Sequence, residues 1–448
     1  MDLDKYPFIG DNILFRRYDE IEVIDIKKDV EFSIDDEAYE LLMQFTGKNS
    51  LRQILEKYSE NKRDEIIEVI NFLTKEKVIH FSDKEIRYKR GRISNRLKLP
   101  KKNPFNPPYL KYLMINITEK CNLNCKHCYI TDKKHMDIPL EKLKSIIKKF
   151  YKYQGLKLIL TGGEPFLYYD FIGLLEWLKN IPLQKVLLTN GTLIKNNEKI
   201  LNLLKENYFE VFVSVDGLEE SHNDLRNANC FNDVIEGIKI LLNNKIEVSI
   251  NTMVHKKNIK EFDELSKFLK SLGPIKSWAV DIPTFDENIP EDIQKEYGVS
   301  YDIGGKIIRD YWWGESYDSS GVIVGNNQSD SDNDEYSSTE RDLSKHQQYA
   351  CGPFLMAIDV TGKITKCGFF SEQSPGNIFK LGIRKAWQKI QNTLIWTLDE
   401  LECYKLNCEY IEECRGGCRY RAFQHKKDIF AVDPYKCYAY GKLKERLN

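Results

Sequence analysis

The spacing of apolar positions changes several times along the chain, and each change marks an element. Between residues 12 and 34 the segments NILFRRY, IEVIDI and VEFSI read as three short strands; in the last, Val30, Phe32 and Ile34 alternate with polar neighbours at the two-residue period of a strand. The period then lengthens to that of a helix. In DDEAYELLMQFTG, Ala38, Leu41, Leu42 and Phe45 share one face and Gly47 is the expected stop. Ser50 and Gln53 form a capping box ahead of Leu51, Ile54, Leu55 and Tyr58, and a third helix over DEIIEVINFLTK leads to the apolar run Val78 to Phe81. Three strands and three helices within residues 1–83 describe a winged-helix module.

Residues 84–108 (KEIRYKRGRISNRLKLPKKNPFNPP) turn basic and then proline-rich, the composition of a linker, and a solvated connector suits that basic run better than a nucleic-acid contact. Beyond it, strand-like YLMINI, LKLILT, KVLLTN, EVFVSV, EVSINTMV and SWAVDI alternate with helical stretches such as PLEKLKSIIKKF and FNDVIEGIKILL. Six strand-helix units in residues 109–284 predict an α/β fold: a parallel sheet closed, or nearly closed, into a partial (β/α)6 barrel of TIM type, with chemistry at the C-terminal strand ends. Residues 285–349 are a bridging region whose acidic stretch 315–345 reads as a mobile insertion. Residues 350–448 are cysteine-rich with little periodicity of their own, as expected of a region ordered around metal.

A length of 448 residues with 42% hydrophobic content and a net charge of -1 suits a soluble protein of about three domains. Balanced charge argues against a general nucleic-acid binder. No basic segment followed by an apolar run opens the chain, and no stretch approaches a membrane span, so the expected location is the cytoplasm, with no membrane partner. The eleven cysteines change the picture. A reducing compartment disfavours disulfides, leaving metal or redox chemistry, and the cysteines cluster at 121–128 and 351–437, with Cys230 alone between.

Cys121, Cys125 and Cys128 follow the first barrel strand directly in CNLNCKHCY. Three thiolates suit an iron-sulfur cubane with one iron left open to an outside ligand. A structural zinc site needs a fourth ligand, and His127 is flanked by ligand positions and poorly placed to reach the same metal. The spacing, ending on the aromatic Tyr129, resembles the motif of the radical S-adenosylmethionine (SAM) superfamily. Further matches follow in order: TGGEP at 161–165 resembles the stretch whose backbone holds the methionine amino group of SAM, with Gly162 and Gly163 allowing close approach and Glu164 offsetting positive charge; SVDG brings Ser214 and Asp216, followed by His222 and Arg226, at positions similar to those that contact the ribose and carboxylate of SAM. Thr189, Asn190 and Asn251 end other strands and are expected to line the same pocket, although a plain strand end is the simpler reading of Asn251.

The C-terminal cysteines extend the resemblance to the branch carrying a SPASM domain with two auxiliary [4Fe-4S] clusters. Cys351 and Cys367 match the first part of that pattern, Cys408, Cys414 and Cys418 the C-x5-C-x3-C part, and Cys437 the last thiol; GNI at 376–378 and Trp387 resemble the connecting stretch. Lys405 departs from it, and Cys403 takes the missing place by a two-residue insertion. By analogy Cys351, Cys367 and Cys418 bind auxiliary cluster I, and Cys403, Cys408, Cys414 and Cys437 cluster II. Cluster I is then one ligand short, to be completed by a substrate thiolate, by water or by Cys230, and a plain buried cysteine is the simpler reading of Cys230.

The resemblance implies reductive cleavage of SAM, with an external donor such as flavodoxin or ferredoxin, and a radical that takes hydrogen from an unactivated carbon; no side chain is assigned as acid or base. Residues 1–83 resemble the recognition element that holds the leader of a ribosomally made precursor peptide. The expected function is therefore a peptide maturase that installs an intramolecular cross-link, with a cysteine thioether (a sactipeptide-type bond) favoured over a carbon-carbon bond. Two alternatives stay open: the same radical chemistry on a folded protein or tetrapyrrole, and an iron-sulfur electron carrier or redox regulator with a winged helix.

Overall fold

The computed structural model describes all residues except 1, 27–29, 87–98, 129, 131–134, 286–288, 312–347 and 441–448. Tyr129 and the acidic stretch 315–345 therefore lie outside the described residues. The chain divides into two compact units, the first comprising residues 1–106, 150–156 and 177–184, the second the remainder.

In the first unit, β1 (Tyr6–Ile9), β2 (Ile13–Arg17), β3 (Ile21–Asp25) and β4 (Val30–Ile34) precede α1 (Asp36–Leu42), α2 (Leu51–Leu55), α3 (Glu60–Lys75) and β5 (Ile79–Ser82). Strands β2, β3 and β4 form an antiparallel meander in which β3 is central, so one edge of β4 is unpaired by the sheet. The fourth strand, β1, pairs with β5, a pairing absent from the sequence reading. The expected capping box at Ser50 and Gln53 is present on α2. Helix α1, however, stops at Leu42 with Met43 as its cap, and Gly47 instead turns at φ 72° to donate to the Pro7 carbonyl. Isolated apolar residues after a helix thus mimicked its continuation: Phe45 is buried in the core without being helical. Arg16 is 4% exposed and donates to the carbonyls of Phe15, Gly155 and Pro182, while Tyr18 donates to that of Gln154. These bonds explain why 150–156 and 177–184 count with the N-terminal strands.

The second unit carries the six expected strands in order: β6 (Tyr112–Thr118), β7 (Lys157–Gly162), β8 (Gln184–Thr189), β9 (Phe209–Ser214), β10 (Glu247–Met253) and β11 (Trp278–Asp281). Between them run α4 (Leu140–Lys152), α5 (Phe171–Leu178), α6 (Glu198–Glu206), the pair α7 (Glu219–Arg226) and α8 (Phe231–Asn243), and α9 (Phe262–Ser271). The strands are parallel wherever their register is defined and follow chain order, as right-handed strand-helix units require. Leu158, Ile159 and Leu160 on β7 and Val211, Phe212 and Val213 on β9 are buried in succession, as in a sheet covered on both faces.

After α10 (Glu291–Tyr297) and α11 (Tyr301–Tyr311), the chain returns to the sheet: β12 (Leu355–Ile358) pairs parallel with β6, and β13 (Lys363–Thr365) and β14 (Gly376–Asn377) continue it antiparallel. The C-terminal region is more regular than its sequence suggests. Helix α12 (Ile378–Leu394), kinked at Gly382, buries Ile383, Ala386, Trp387, Ile390 and Leu394, and the Trp387 indole donates to Pro108. Of the short helices α13 (Glu402–Lys405), α14 (Ile411–Cys414), α15 (Arg419–Lys426) and α16 (Pro434–Ala439), α13, α14 and α16 hold Cys403, Cys414 and Cys437, while Cys408 follows α13 and Cys418 is the N-cap of α15.

Candidate cluster and SAM site

Parallel order places the C-terminal ends of β6 to β11 along one edge of the sheet, and the residues singled out in the sequence follow these ends. The cysteine loop leaves β6, and β7 runs into Gly162, Gly163 and Glu164. These glycines are dictated by proximity: Gly162 adopts φ 149°, and a Cβ there would meet the Thr118 carbonyl at 2.2 Å, one at Gly163 the Lys120 carbonyl at 2.3 Å. Gly163 and Glu164 amides donate to those carbonyls at 2.7 Å each, fastening the TGGEP turn to the start of the cysteine loop.

Cys121, Cys125 and Cys128 are half-exposed. Asn190 Nδ2 lies 3.8 Å from Cys121 Sγ and Arg226 Nη1 3.8 Å from Cys125 Sγ. The loop is also pinned away from its thiols: Lys126 donates its amide to Leu225 O and its ammonium to Asp224, and Asn122 bonds Thr192 and Asn190. Half-exposed thiols on a braced loop, with donors beside them, fit a thiolate-ligated cluster.

Both carboxylates of the site have protein partners of their own. Glu164 is fully buried and turned inward, accepting from Thr189 Oγ1 at 2.8 Å, the Asn190 amide at 2.8 Å and the Phe166 amide at 3.2 Å; burial nevertheless raises its carboxyl to about 7. It therefore shapes the Thr189–Asn190 turn. Asp216, also fully buried, accepts from Arg226 Nε at 2.6 Å and from the Met253 amide at 2.8 Å. Burial pushes its carboxyl up, but the charges of Arg226, His127 and His222 and the Met253 amide outweigh that and hold it at about 2. Arg226 thus spans Asp216 and Cys125. Ser214 and Asn251 face each other in register on β9 and β10.

Sequence reasoning named His222 and weighed His127, but it missed His255, which joins them here. His222 Nδ1 accepts from the Asp216 amide, His255 Nε2 meets the Asp216 carbonyl at 3.0 Å, and His127 lies in the field of Arg226 and Asp216. Burial lowers His127 to about 3 and His222 to about 4, so both are neutral near pH 7. Cys230 Sγ is 3.5 Å from His222 Nε2, and burial raises its thiol to about 11 while Arg226 and Cys125 act on it. Its surroundings are those of the first cysteine loop.

The C-terminal cysteines gather in two groups. Cys403, Cys408, Cys414 and Cys437 line one pocket with Tyr410, Ile411, Gly416, Val432, Asp433 and Tyr440. Cys351 and Cys367 lie within electrostatic reach of Cys418, whose thiol is raised by burial and then by these neighbours, and Lys366 is near all three. Burial raises Cys367 to about 11 and Cys414 to about 12, so loading either group with metal must displace protons. Among the described residues no three His, Cys, Asp or Glu side chains converge on a single metal ion. Thiolates around one zinc would lie within ~4 Å of one another.

The sheet and its edge define an α/β fold of radical SAM type, and the comparisons agree. Residues 115–269 match the family model described as Radical SAM superfamily. The chain is 33% identical over 184 residues to an uncharacterised protein of Methanocaldococcus jannaschii, covering 39% of this chain and spanning 63% of that protein. It is 23% identical over 379 residues to the AdoMet-dependent heme synthase of Oleidesulfovibrio alaskensis (78% of this chain, 92% of the relative) and 25% identical over 289 residues to the subtilosin biosynthesis protein AlbA of Bacillus subtilis (60% and 62%). The structure of Streptococcus suis SuiB bound to precursor peptide SuiA superposes with a TM-score of 0.61 at 17% identity, covering 95% of this chain and 98% of SuiB.

Proposed function

We propose that this protein is a radical SAM peptide maturase that holds the leader of a ribosomally made precursor on residues 1–83 and installs an intramolecular cross-link, a cysteine thioether. The observation that carries the peptide is the outer edge of β4, with which no strand among the described residues pairs. Phe32 packs edge-to-face on Phe72 of α3 at 5.7 Å, and Phe72 and Val69 remain 52% and 36% exposed beside it. A free strand edge supplies backbone hydrogen bonds to an extended peptide, and an adjoining apolar helix face supplies side-chain pockets. The acidic surroundings, DDEAYE and YSENKRDE, disfavour DNA on the same module. The similarity to AlbA, a bacteriocin biosynthesis protein, supports this substrate class.

Cys121, Cys125 and Cys128 would hold the SAM-binding cluster, Cys351, Cys367 and Cys418 auxiliary cluster I, and Cys403, Cys408, Cys414 and Cys437 cluster II, in a winged-helix, barrel and SPASM arrangement. When bound, the first cluster and SAM supply a carbon-centred radical able to take hydrogen from an unactivated carbon. The chain orients these groups: Arg226, fixed by Asp216, and Asn190, fixed by Glu164, place donors at two of the three thiols. The three-thiol group leaves a place for a substrate cysteine, which favours the thioether.

A second reading, modification of a tetrapyrrole, is favoured by the similarity to the heme synthase. Anaerobic reconstitution with SAM, a reductant and a cysteine-containing peptide encoded beside the gene separates the two. Loss of two hydrogens from the peptide, with one thiol no longer alkylatable, is the expected result. Formation of 5′-deoxyadenosine with an unchanged peptide would turn the assignment to the other substrate.

A further inference from the structure

Among the described residues, 350–448 bury five cations, Lys366, Arg415, Arg419, Arg421 and Lys436, against one carboxylate, Asp433. Arg421 is tied to Asp433 and Asp281, Arg415 donates to the Tyr349 carbonyl, and Lys366 donates to Gly352 O and lies over the Trp396 ring. Arg419 differs. It is fully buried, and Nη1 donates to the carbonyls of Ile429 at 3.0 Å and Ala431 at 2.8 Å, but Nε and Nη2 are sealed from solvent with no acceptor. Leaving buried donors of a charged group unpaired is costly, so a fold that keeps them supplies an acceptor in its working state.

The direction of the unpaired donors is defined. A Cβ built on Gly416 would lie 3.1 Å from Arg419 Nη2, and Gly416 lines the pocket with Cys403, Cys408, Cys414 and Cys437. The charge of Arg419 also bears on the Cys414 thiol. We propose that Arg419 is a positioning residue for the iron-sulfur cluster held by these four cysteines: Nε and Nη2 donate to its sulfur atoms or thiolates, and the buried charge raises its reduction potential. The inference rests on the reading that this region carries auxiliary clusters. Adding an electron makes a thiolate-bound cluster more negative, so a desolvated cation and hydrogen bonds to sulfur favour the reduced form.

The test uses full-length protein carrying Cys121→Ala, Cys125→Ala and Cys128→Ala, which leaves only auxiliary clusters, reconstituted anaerobically with Arg419, Arg419→Lys or Arg419→Gln. Iron per chain is counted, and each cluster's midpoint is followed by a spectroscopic redox titration, the four-cysteine signal being assigned by its loss in Cys414→Ala. With Arg419→Gln, the reduced-to-oxidised ratio of that signal at the parent midpoint falls about tenfold, the equivalent of one charge-assisted hydrogen bond. Arg419→Lys falls between, and the other auxiliary signal, whose Cys418 adjoins Arg419 in the chain, moves less than the four-cysteine signal. An unchanged midpoint overturns the proposal. So does iron loss with the residual cluster keeping its midpoint, because that is the signature of a brace for residues 429–431 alone. Absence of any auxiliary iron in the Arg419 parent would instead remove the cluster reading beneath it.

Discussion

At the scale of the residue, burial of charge is decided by partners, and this chain contains opposite outcomes. Asp216 gains Arg226 and the Met253 amide and stays ionised. Lys185, 5% exposed at the start of β8, donates to Asn207 O at 3.3 Å, and burial pulls its ammonium down to about 7. The unfolded chain, titrating near 10.5, therefore binds more protons than the folded one between pH 7 and 10.5, and stability from this group rises with pH across that window. Lys185→Met removes the penalty. The variant should be more stable at pH 7 by on the order of 2 kcal/mol in denaturant unfolding, with the wild type recovering that gap as pH approaches 10.5. A gap independent of pH would show that the ammonium is not the source. Glu164 has the opposite sign: raised to about 7, it favours the folded state most below pH 4.5 and loses that advantage as pH rises to 7.

At the scale of the element, legibility followed length and period. The six barrel strands were readable because each is a β-rich apolar run of four to seven residues between helices, and α2 because its capping box is a local signal. Ser50→Ala removes the acceptor for the Gln53 amide at 3.3 Å. The loss should cost ~1 kcal/mol and lower the melting temperature by a few degrees, since Leu51 and Ile54 are fully buried; an unchanged melt would mean that packing alone fixes this helix. By contrast β12, β13 and β14 contain four, three and two residues and are defined only by distant partners. The cysteine and glycine positions of the site were visible because spacing carries them. The inward turn of Glu164, the approach of His255 to Asp216 and the unpaired face of Arg419 were not, since folding brings their partners from remote segments.

At the scale of the molecule, deleting residues 1–83 is a poor test of leader binding. It would remove Arg16 and Tyr18, and with them the donors to the Gln154, Gly155 and Pro182 carbonyls, so lost modification could reflect damage to 150–156 and 177–184. A surface change separates binding from folding. Phe72 is half-exposed on α3 and touches Phe32 of the free-edged strand β4, so Phe72→Asp introduces charge at the proposed seat with little burial to lose. An aromatic anchor at an interface is worth about 2 kcal/mol, which corresponds to a more than tenfold weaker affinity for a labelled leader peptide. SAM cleavage without peptide should continue at the wild-type rate, because every residue assigned to that site lies in the second unit. Modification of a full precursor at limiting concentration should fall with the affinity and recover at high concentration. Undiminished leader binding by this variant would move the peptide away from β4 and α3, and a loss that no precursor concentration restores would point to a role for this module beyond holding the leader.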